Sequence, residues 1–164
     1  MNMKLRFADL SFLDEIAEIE RSCFPRGQAA KIEQFEKRLA VYPEHFLLLC
    51  VDEGKVVSFI NGFVTDLPDL TDEMYLSPEM HDEGGAWQMI FGLCTHPKHR
   101  HRGYAESLMN EFLHLARGQG RKGAVLTCKA ELIGFYERFG FKNEGVSKGS
   151  VIGGVKWYQM RRVF

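Results

Sequence analysis

Arg100-His101-Arg102-Gly103-Tyr104-Ala105 lies between the apolar run Gln88-Met89-Ile90-Phe91-Gly92-Leu93-Cys94-Thr95 and a helical run over residues 106–117. The order reads as strand, short loop, helix. Gly103 removes a side chain where the chain must turn tightly, and Ala105 keeps the first helical turn slim. The opening N–H groups of a helix have no acceptor within it, so such a loop binds an anion at the positive end of the helix dipole.

Working outward, Ala105, Leu108, Met109, Phe112, Leu113 and Ala116 repeat at helical spacing until Gly118 and Gly120 close the helix. Residues 124–128 form a short apolar strand after this crossover, which predicts parallel pairing with strand 87–95. Residues 132–139 read as a short helix ended by Gly140, and 141–146 with 155–162 as a closing antiparallel pair. Toward the N-terminus, 5–8 is a strand, and Ser11 is the expected N-cap of a helix with Phe12, Ile16, Ile19 and Cys23 on one face. A second helix over about 29–42 stops at Pro43, and strands 46–51 and 55–64 flank Asp52-Glu53-Gly54 as a hairpin. Residues 65–85, rich in Asp, Glu, Pro and Ser, read as a long surface loop.

These elements predict an α+β (mixed α/β) fold with a mixed sheet in a single domain over 1–164. A doubly wound dinucleotide fold is excluded: one strand–helix–strand unit is parallel, and no acidic residue ends the following strand to hold a ribose. Arg-x-x-Gly-x-Ala also lacks the Lys-Ser/Thr pair of a P-loop, which leaves a pyrophosphate loop that needs no metal.

Composition narrows the partners. The 164 residues are 45% apolar, enough for a real core, and 21 Lys plus Arg stand against 22 Asp plus Glu. No global field recruits nucleic acid or an anionic membrane, and the basic patch around the loop is short. No apolar run has signal-peptide or membrane-spanning length, so a cytoplasmic protein is expected. Cys23, Cys50, Cys94 and Cys128 are scattered singly among apolar neighbours, the pattern of buried thiols in a reducing compartment. His96-x-x-His99-x-His101 has metal-ligand residue types, but Lys98, Arg100 and Arg102 among them repel a divalent cation, and no metal is expected.

Arg100-x-x-Gly103-x-Ala105 before an amphipathic helix, followed by Phe135-Tyr136-Glu137-Arg138-Phe139-Gly140-Phe141, resembles the GNAT superfamily of acetyl-CoA-dependent N-acetyltransferases. Cys23-Phe24-Pro25, Ala29-Ala30, Tyr42-Pro43-Glu44-His45-Phe46, Cys128 and Gly153-Gly154-Val155-x-Trp157-Tyr158-x-Met160 are similar to its arylalkylamine N-acetyltransferase branch. The resemblance covers most of the chain. It implies a mostly antiparallel mixed sheet, splayed at its central parallel strand pair and flanked by helices, and a transfer of acetyl from acetyl-CoA directly to a primary amine.

The resemblance also implies roles. Backbone amides of His101, Arg102, Gly103, Tyr104, Ala105 and Glu106 hold the coenzyme's pyrophosphate, with charge added by Arg100 and Arg102. Main-chain groups of Leu93, Cys94 and Thr95 hold the pantetheine, and one N–H there polarises the thioester carbonyl. Tyr136 is the general acid that protonates the departing thiolate; its structural alternative is a core tyrosine in line with Leu132 and Phe139. The branch places two histidines where Met89 and Phe91 stand, so the base falls to a carboxylate such as Glu83, Glu33 or Asp82, to His81, or to no residue if the amine arrives neutral. Each of these is also an ordinary surface residue.

Phe24, Pro25, Met89 and Phe91, with Met74 and Tyr75, suit an aryl or alkyl amine, although each is also a plausible core residue. The acids Asp66, Asp69, Asp72, Glu73, Glu79, Asp82 and Glu83 are expected either to attract a cationic amine or to form a solvated face. Two further readings are acetylation of a protein N-terminus or lysine, and a coenzyme A-binding module without turnover. The protein is expected to act as a monomer or homodimer.

Overall fold

The chain, described over residues 2–164 by a computed structural model, runs through fourteen regular elements. In order these are β1 (Met3–Phe7), α1 (Leu13–Cys23), α2 (Ile32–Val41), β2 (Phe46–Val51), β3 (Lys55–Asn61), β4 (Val64–Thr65) and α3 (Asp72–Leu76). There follow β5 (Trp87–Ile90), β6 (Gly92–Thr95), α4 (Tyr104–Gly118), β7 (Gly123–Cys128), α5 (Ile133–Glu137), β8 (Lys142–Val146) and β9 (Tyr158–Val163). They build two compact units, one from residues up to Asn61 with Gly92–Phe112, the other from Gly62–Phe91 with Leu113–Phe164.

The first unit holds an antiparallel sheet in the order β1-β2-β3-β6. Every residue of β2 is buried, which is why its run Phe-Leu-Leu-Leu-Cys-Val shows no alternation. α1 and α2 lay their apolar faces on this sheet around Phe35, Phe46 and Phe59, whose ring centroids lie 5.5–6.0 Å apart. Full burial of each such ring stabilises the unit by ~1.5–3 kcal/mol. α1 starts later than its sequence suggests: Asp9, not Ser11, caps the turn before it, accepting the Ser11 N–H at 2.9 Å. α2 starts at Ile32, with Gln34 Oε1 accepting the Lys31 N–H at 2.6 Å, and ends before Pro43.

The second unit holds a sheet in the order β4-β5-β7-β9-β8. β5 and β7 are parallel, in register from Trp87 opposite Gly123 to Ile90 opposite Leu126, as expected for strands joined by a helical crossover, and the remaining pairs are antiparallel. Two expected strands are broken. Strand 87–95 divides at Phe91 into β5 and β6, which belong to different sheets, and strand 55–64 divides at Gly62 and Phe63 into β3 and β4.

Close backbone approach is the reason for the second break. A Cβ on Gly62 would overlap the carbonyl of Met89, whose own N–H donates to Phe63 O at 2.8 Å. The buried amide of Gln88 satisfies carbonyls that leave the ladder here, with Nε2 at 2.9 Å from Gly62 O and 2.8 Å from Met89 O. Residues 65–85, expected as loop throughout, contain α3 and a helical turn at Pro78–Met80. Among the described residues no helix is long and apolar enough to cross a membrane.

Candidate functional site

In the first unit, among the described residues, β6 pairs with β3 alone and so forms the sheet edge. The His96 N–H donates to Val57 O at 2.8 Å, which fixes the alternation along this antiparallel pair. Counting back along the register, Cys94 and Gly92 direct their main-chain groups at Phe59 and Asn61, while Leu93 and Thr95 direct theirs away from β3. Leu93 and Thr95 are therefore the residues that offer strand-edge hydrogen bonds to a ligand. The Cys94 carbonyl also accepts from Ser58 Oγ at 2.7 Å.

Beyond β6 the chain makes a helical turn at Pro97–His99, in which His96 Nδ1 accepts the Lys98 N–H at 3.1 Å. His101 and Gly103 then adopt left-handed backbone, with φ of 65° and 79°. The Ser107 N–H donates to Gly103 O at 3.1 Å, so the ladder of α4 begins at Gly103. The amides of Tyr104, Ala105 and Glu106 precede its first bond and point back toward the loop. Arg100, His101, Arg102 and Gly103 are exposed. Burial, with the positive charges of Lys55 and Arg102, holds His99 below the ordinary histidine pKa.

Behind β6 lies a polar cluster that the sequence reading passed over. Glu20 is 6% exposed; its Oε2 accepts the Ala30 N–H at 2.8 Å and its Oε1 lies 3.3 Å from Cys94 Sγ. Burial pushes its carboxyl above the ordinary carboxylate range. Facing it, the buried Asn61 accepts from Arg38 Nη1 at 3.0 Å through Oδ1, while its Nδ2 has no hydrogen-bond partner. A Cβ on Gly92 would lie 3.4 Å from that Nδ2 and 3.9 Å from Glu20 Oε1. Gly92 thus leaves a small space beside a buried carboxylate and an unused amide donor. Glu20 was legible as a carboxylate four residues after Ile16, on the apolar stripe of α1.

Cys23, half-buried at the end of α1, donates to Thr95 O at 3.2 Å, and Arg100 Nε donates to the same carbonyl at 3.3 Å. Phe24 packs on the core of this unit, Pro25 is exposed, and Glu33 is exposed in the first turn of α2.

In the second unit Tyr136 is half-buried on α5, its ring 5.1 Å from Phe135 and 6.2 Å from Phe141. Met89 is wholly buried, and Phe91 packs edge-on against Phe63 at 4.9 Å and lies tilted against Tyr75 at 5.0 Å. Glu83 is ion-paired with Arg121 at 2.6 Å, and His81 Nε2 lies 3.3 Å from its other oxygen. Because His81 Nδ1 accepts the Val64 N–H at 3.1 Å, the neutral ring carries its proton on Nε2 and donates it to Glu83.

Most of the acidic loop is engaged within the unit. Asp66 accepts the Ala86 N–H, Asp69 pairs with Arg161 at 2.9 Å, and Asp72 accepts from Ser150 Oγ and the Val151 N–H, both at 2.8 Å. These acids order the loop, and Asp66, Asp69, Glu73, Glu79, Asp82 and Glu83 are exposed, which is the solvated face that stood as one of the two expectations.

The sequence profile of the Acetyltransferase (GNAT) family matches residues 13–141. Serotonin N-acetyltransferase of Mesocricetus auratus is 36% identical over 109 residues, which are 62% of this chain and 51% of that enzyme. The chain spans about half the length of the curated relatives it matches. Among solved structures, the loading GNATL domain of CurA from Lyngbya majuscula superimposes with a TM-score of 0.86 at 18% identity, covering 99% of this chain and 98% of that one. The PaiA N-acetyltransferase of Thermoplasma acidophilum, solved in complex with coenzyme A, gives 0.73 at 13% identity with 100% of both chains covered. With more than half of its residues matched by the family profile and its fold shared with these structures, the chain belongs to the acetyltransferase (GNAT) family.

Proposed function

We propose that residues 1–164 act as one N-acetyltransferase domain that moves an acetyl group from acetyl-CoA to a primary amine, with small aryl and alkyl amines as acceptors. The observation that carries this reading is the edge strand β6 leading through two left-handed residues into the N-terminus of α4, in a chain of the GNAT family. The serotonin N-acetyltransferase relatives support a small amine as acceptor. In this reading the amides of residues 101–106 and the guanidinium groups of Arg100 and Arg102 hold the pyrophosphate. Leu93 and Thr95, flanking Cys94, hold the pantetheine by their outward main-chain groups.

The amine attacks the thioester carbon and sheds a proton, and Tyr136 protonates the departing thiolate. Glu20 supplies the base that the replacement of two histidines by Met89 and Phe91 takes away. A carboxylate with a raised pKa accepts a proton more readily than an ordinary one, and the space beside Gly92 and Asn61 Nδ2 suits a water that carries it. Glu83 is engaged by Arg121, and Glu33 stands in open solvent. Phe24, Pro25 and Phe91 contribute to the acceptor site. Four free cysteines support action in a reducing compartment such as the cytoplasm; action as a monomer or homodimer and without a metal is part of the same proposal.

The test is release of free coenzyme A thiol from acetyl-CoA over a panel of aryl amines, alkyl amines and peptides. Release that depends on a small amine is the expected result. Release with peptides alone would move the acceptor to a protein amine, and tight acetyl-CoA binding without release would leave a coenzyme-binding module.

A further inference from the structure

We propose that Asn61 is a positioning residue for proton removal: its amide, aimed by Arg38, holds a water in the space beside Gly92 and turns a hydrogen of that water toward Glu20 Oε1. The role rests on the reading of Glu20 as base and makes the transfer to it directional.

Asn61 ends β3 and stands opposite Gly92 in the register with β6. Its side chain is wholly buried, and Oδ1 accepts from Arg38 Nη1 at 3.0 Å. A guanidinium carries donors only, so the amide oxygen must face Arg38 and the amide nitrogen must face away from it. Arg38 is itself 2% exposed, with Cζ 5.2 Å from the centroid of the Phe35 ring, so the group that sets the amide is held in place. Among the described residues none accepts from Nδ2. Buried donors are completed by protein or by water, and this one is aimed at the space that glycine leaves at position 92.

A Cβ on Gly92 would lie 3.4 Å from Nδ2 and 3.9 Å from Glu20 Oε1, so one small molecule near that point reaches both. Oε2 is taken by the Ala30 N–H at 2.8 Å. On Oε1 the Cys94 thiol at 3.3 Å uses one of two acceptor positions, which leaves the other for a water. That water accepts from Nδ2 with one lone pair, donates to Oε1, and keeps its second lone pair for the proton of the amine. An amide oxygen in the place of Nδ2 would compete with Glu20 for the water's hydrogens. The step balances: the N–H bond of the amine breaks with its electron pair left on nitrogen, an O–H bond forms on the water, and the water's own proton passes to Oε1.

Gly92→Ala tests the role without removing a polar group. Its methyl meets Nδ2 and Oε1 at ordinary contact distances, and residue 92 is outside the left-handed region, so the fold accepts it while the place of the water is filled. The melting temperature should equal or exceed that of the wild type, as expected for an unstrained Gly→Ala change. In the presence of an accepted amine, kcat should fall about ten-fold with KM for acetyl-CoA within about two-fold. In the coenzyme-free protein, the infrared band of the protonated Glu20 carboxyl, identified by its loss in Glu20→Gln, should titrate roughly one pH unit higher than in the wild type, because the carboxylate has lost a donor. The other charged and titratable groups facing Glu20 are Arg38 from α2, Cys94 from β6 and Cys23 from α1 itself, and Gly92→Ala leaves all three unchanged. Asn61→Asp keeps an oxygen for Arg38 but puts an acceptor in the place of Nδ2, and its kcat should fall at least as far.

An unmoved carboxyl midpoint in Gly92→Ala would overturn the role, and so would wild-type kcat in Gly92→Ala when Glu20→Gln is impaired. Failure of the underlying reading looks different: no amine-dependent thiol release by the wild type, or full turnover in Glu20→Gln. The relay then falls with the base, and the infrared midpoint still decides whether Asn61 holds the water.

Discussion

Oε1 of Glu20 and Sγ of Cys94 stand 3.3 Å apart in the buried side of the first unit, with Oε2 of Glu20 held by the Ala30 N–H. Glu20→Gln keeps the volume and an acceptor for Ala30 but removes the basic oxygen. As the proton acceptor for the attacking amine, Glu20 predicts a fall in kcat of about 10²-fold in Glu20→Gln, with KM for acetyl-CoA changed less than about two-fold. The rise of kcat with pH that tracks Glu20 ionisation should vanish in the variant. A turnover and pH profile like those of the wild type would return the base to another group.

The same carboxyl makes a stability prediction with a fixed sign. Its pKa is raised in the folded state by burial, so the folded protein holds the Glu20 proton more tightly than the unfolded chain. Its favourable contribution is full below the ordinary glutamate pKa and is lost as pH rises through the folded value. The melting temperature of the wild type relative to Glu20→Gln should therefore decline as pH rises above the ordinary glutamate range. Thermal unfolding of both proteins over a series of rising pH checks the direction.

At Gly62 the obstacle to a side chain is backbone. A Cβ there would overlap the Met89 carbonyl, and neither chain segment can yield as a flexible side chain would. Gly62→Ala is expected to cost about 1–3 kcal/mol, lowering the melting temperature by roughly 2–4 °C for each kcal/mol in a chain of this size. Gly27→Ala gives a contrast: nothing lies within 4 Å of its Cβ position, so its only penalty is conformational, at a φ of 93°.

Much of this architecture was legible because periodicity and turn chemistry agreed with it. The crossover from strand to α4 to β7 followed from the apolar spacing of residues 105–116, and the parallel pairing of β5 with β7 followed from that crossover. What escaped was each place where a distant element set the local structure. Phe91 and Gly62 sit inside stretches read as single strands, and the break at each appears only when β6 and β3 join one sheet and β5 and β4 the other. The turn into α4 was readable from Gly103 because it stands between an apolar strand and an amphipathic helix, whereas the engagement of Glu83 by Arg121 spans 38 residues of sequence. Glu20 was hidden for the opposite reason. A glutamate among Glu15, Glu18 and Arg21 reads as surface charge until its place on the buried face of α1 is counted.

Gly103 adopts a φ of 79°, and nothing lies within 4 Å of the position its Cβ would take. A substitution there meets no clash, so its effect is the conformational cost of left-handed backbone for a residue with a Cβ, about 1–2 kcal/mol. If the loop must keep this shape to aim its amides at a pyrophosphate, Gly103→Ala weakens coenzyme A binding by roughly ten-fold, in step with that cost. Titration calorimetry with coenzyme A, compared with the dephosphorylated pantetheine fragment, separates the loop from the strand edge. The fragment's affinity should be unchanged.

Tyr136 on α5 is half-buried, with Phe135 and Phe141 against its ring, so Tyr136→Phe removes the hydroxyl while leaving those apolar contacts in place. A hydroxyl that protonates the thiolate acts only as the carbon–sulfur bond breaks, which separates kcat from binding. Turnover is expected to fall about 10²-fold with acetyl-CoA affinity within about two-fold of wild type. The loss should shrink for an acyl donor whose leaving thiol is more acidic, because such a thiolate departs without a proton. An equal loss with both donors would assign the hydroxyl to packing of α5.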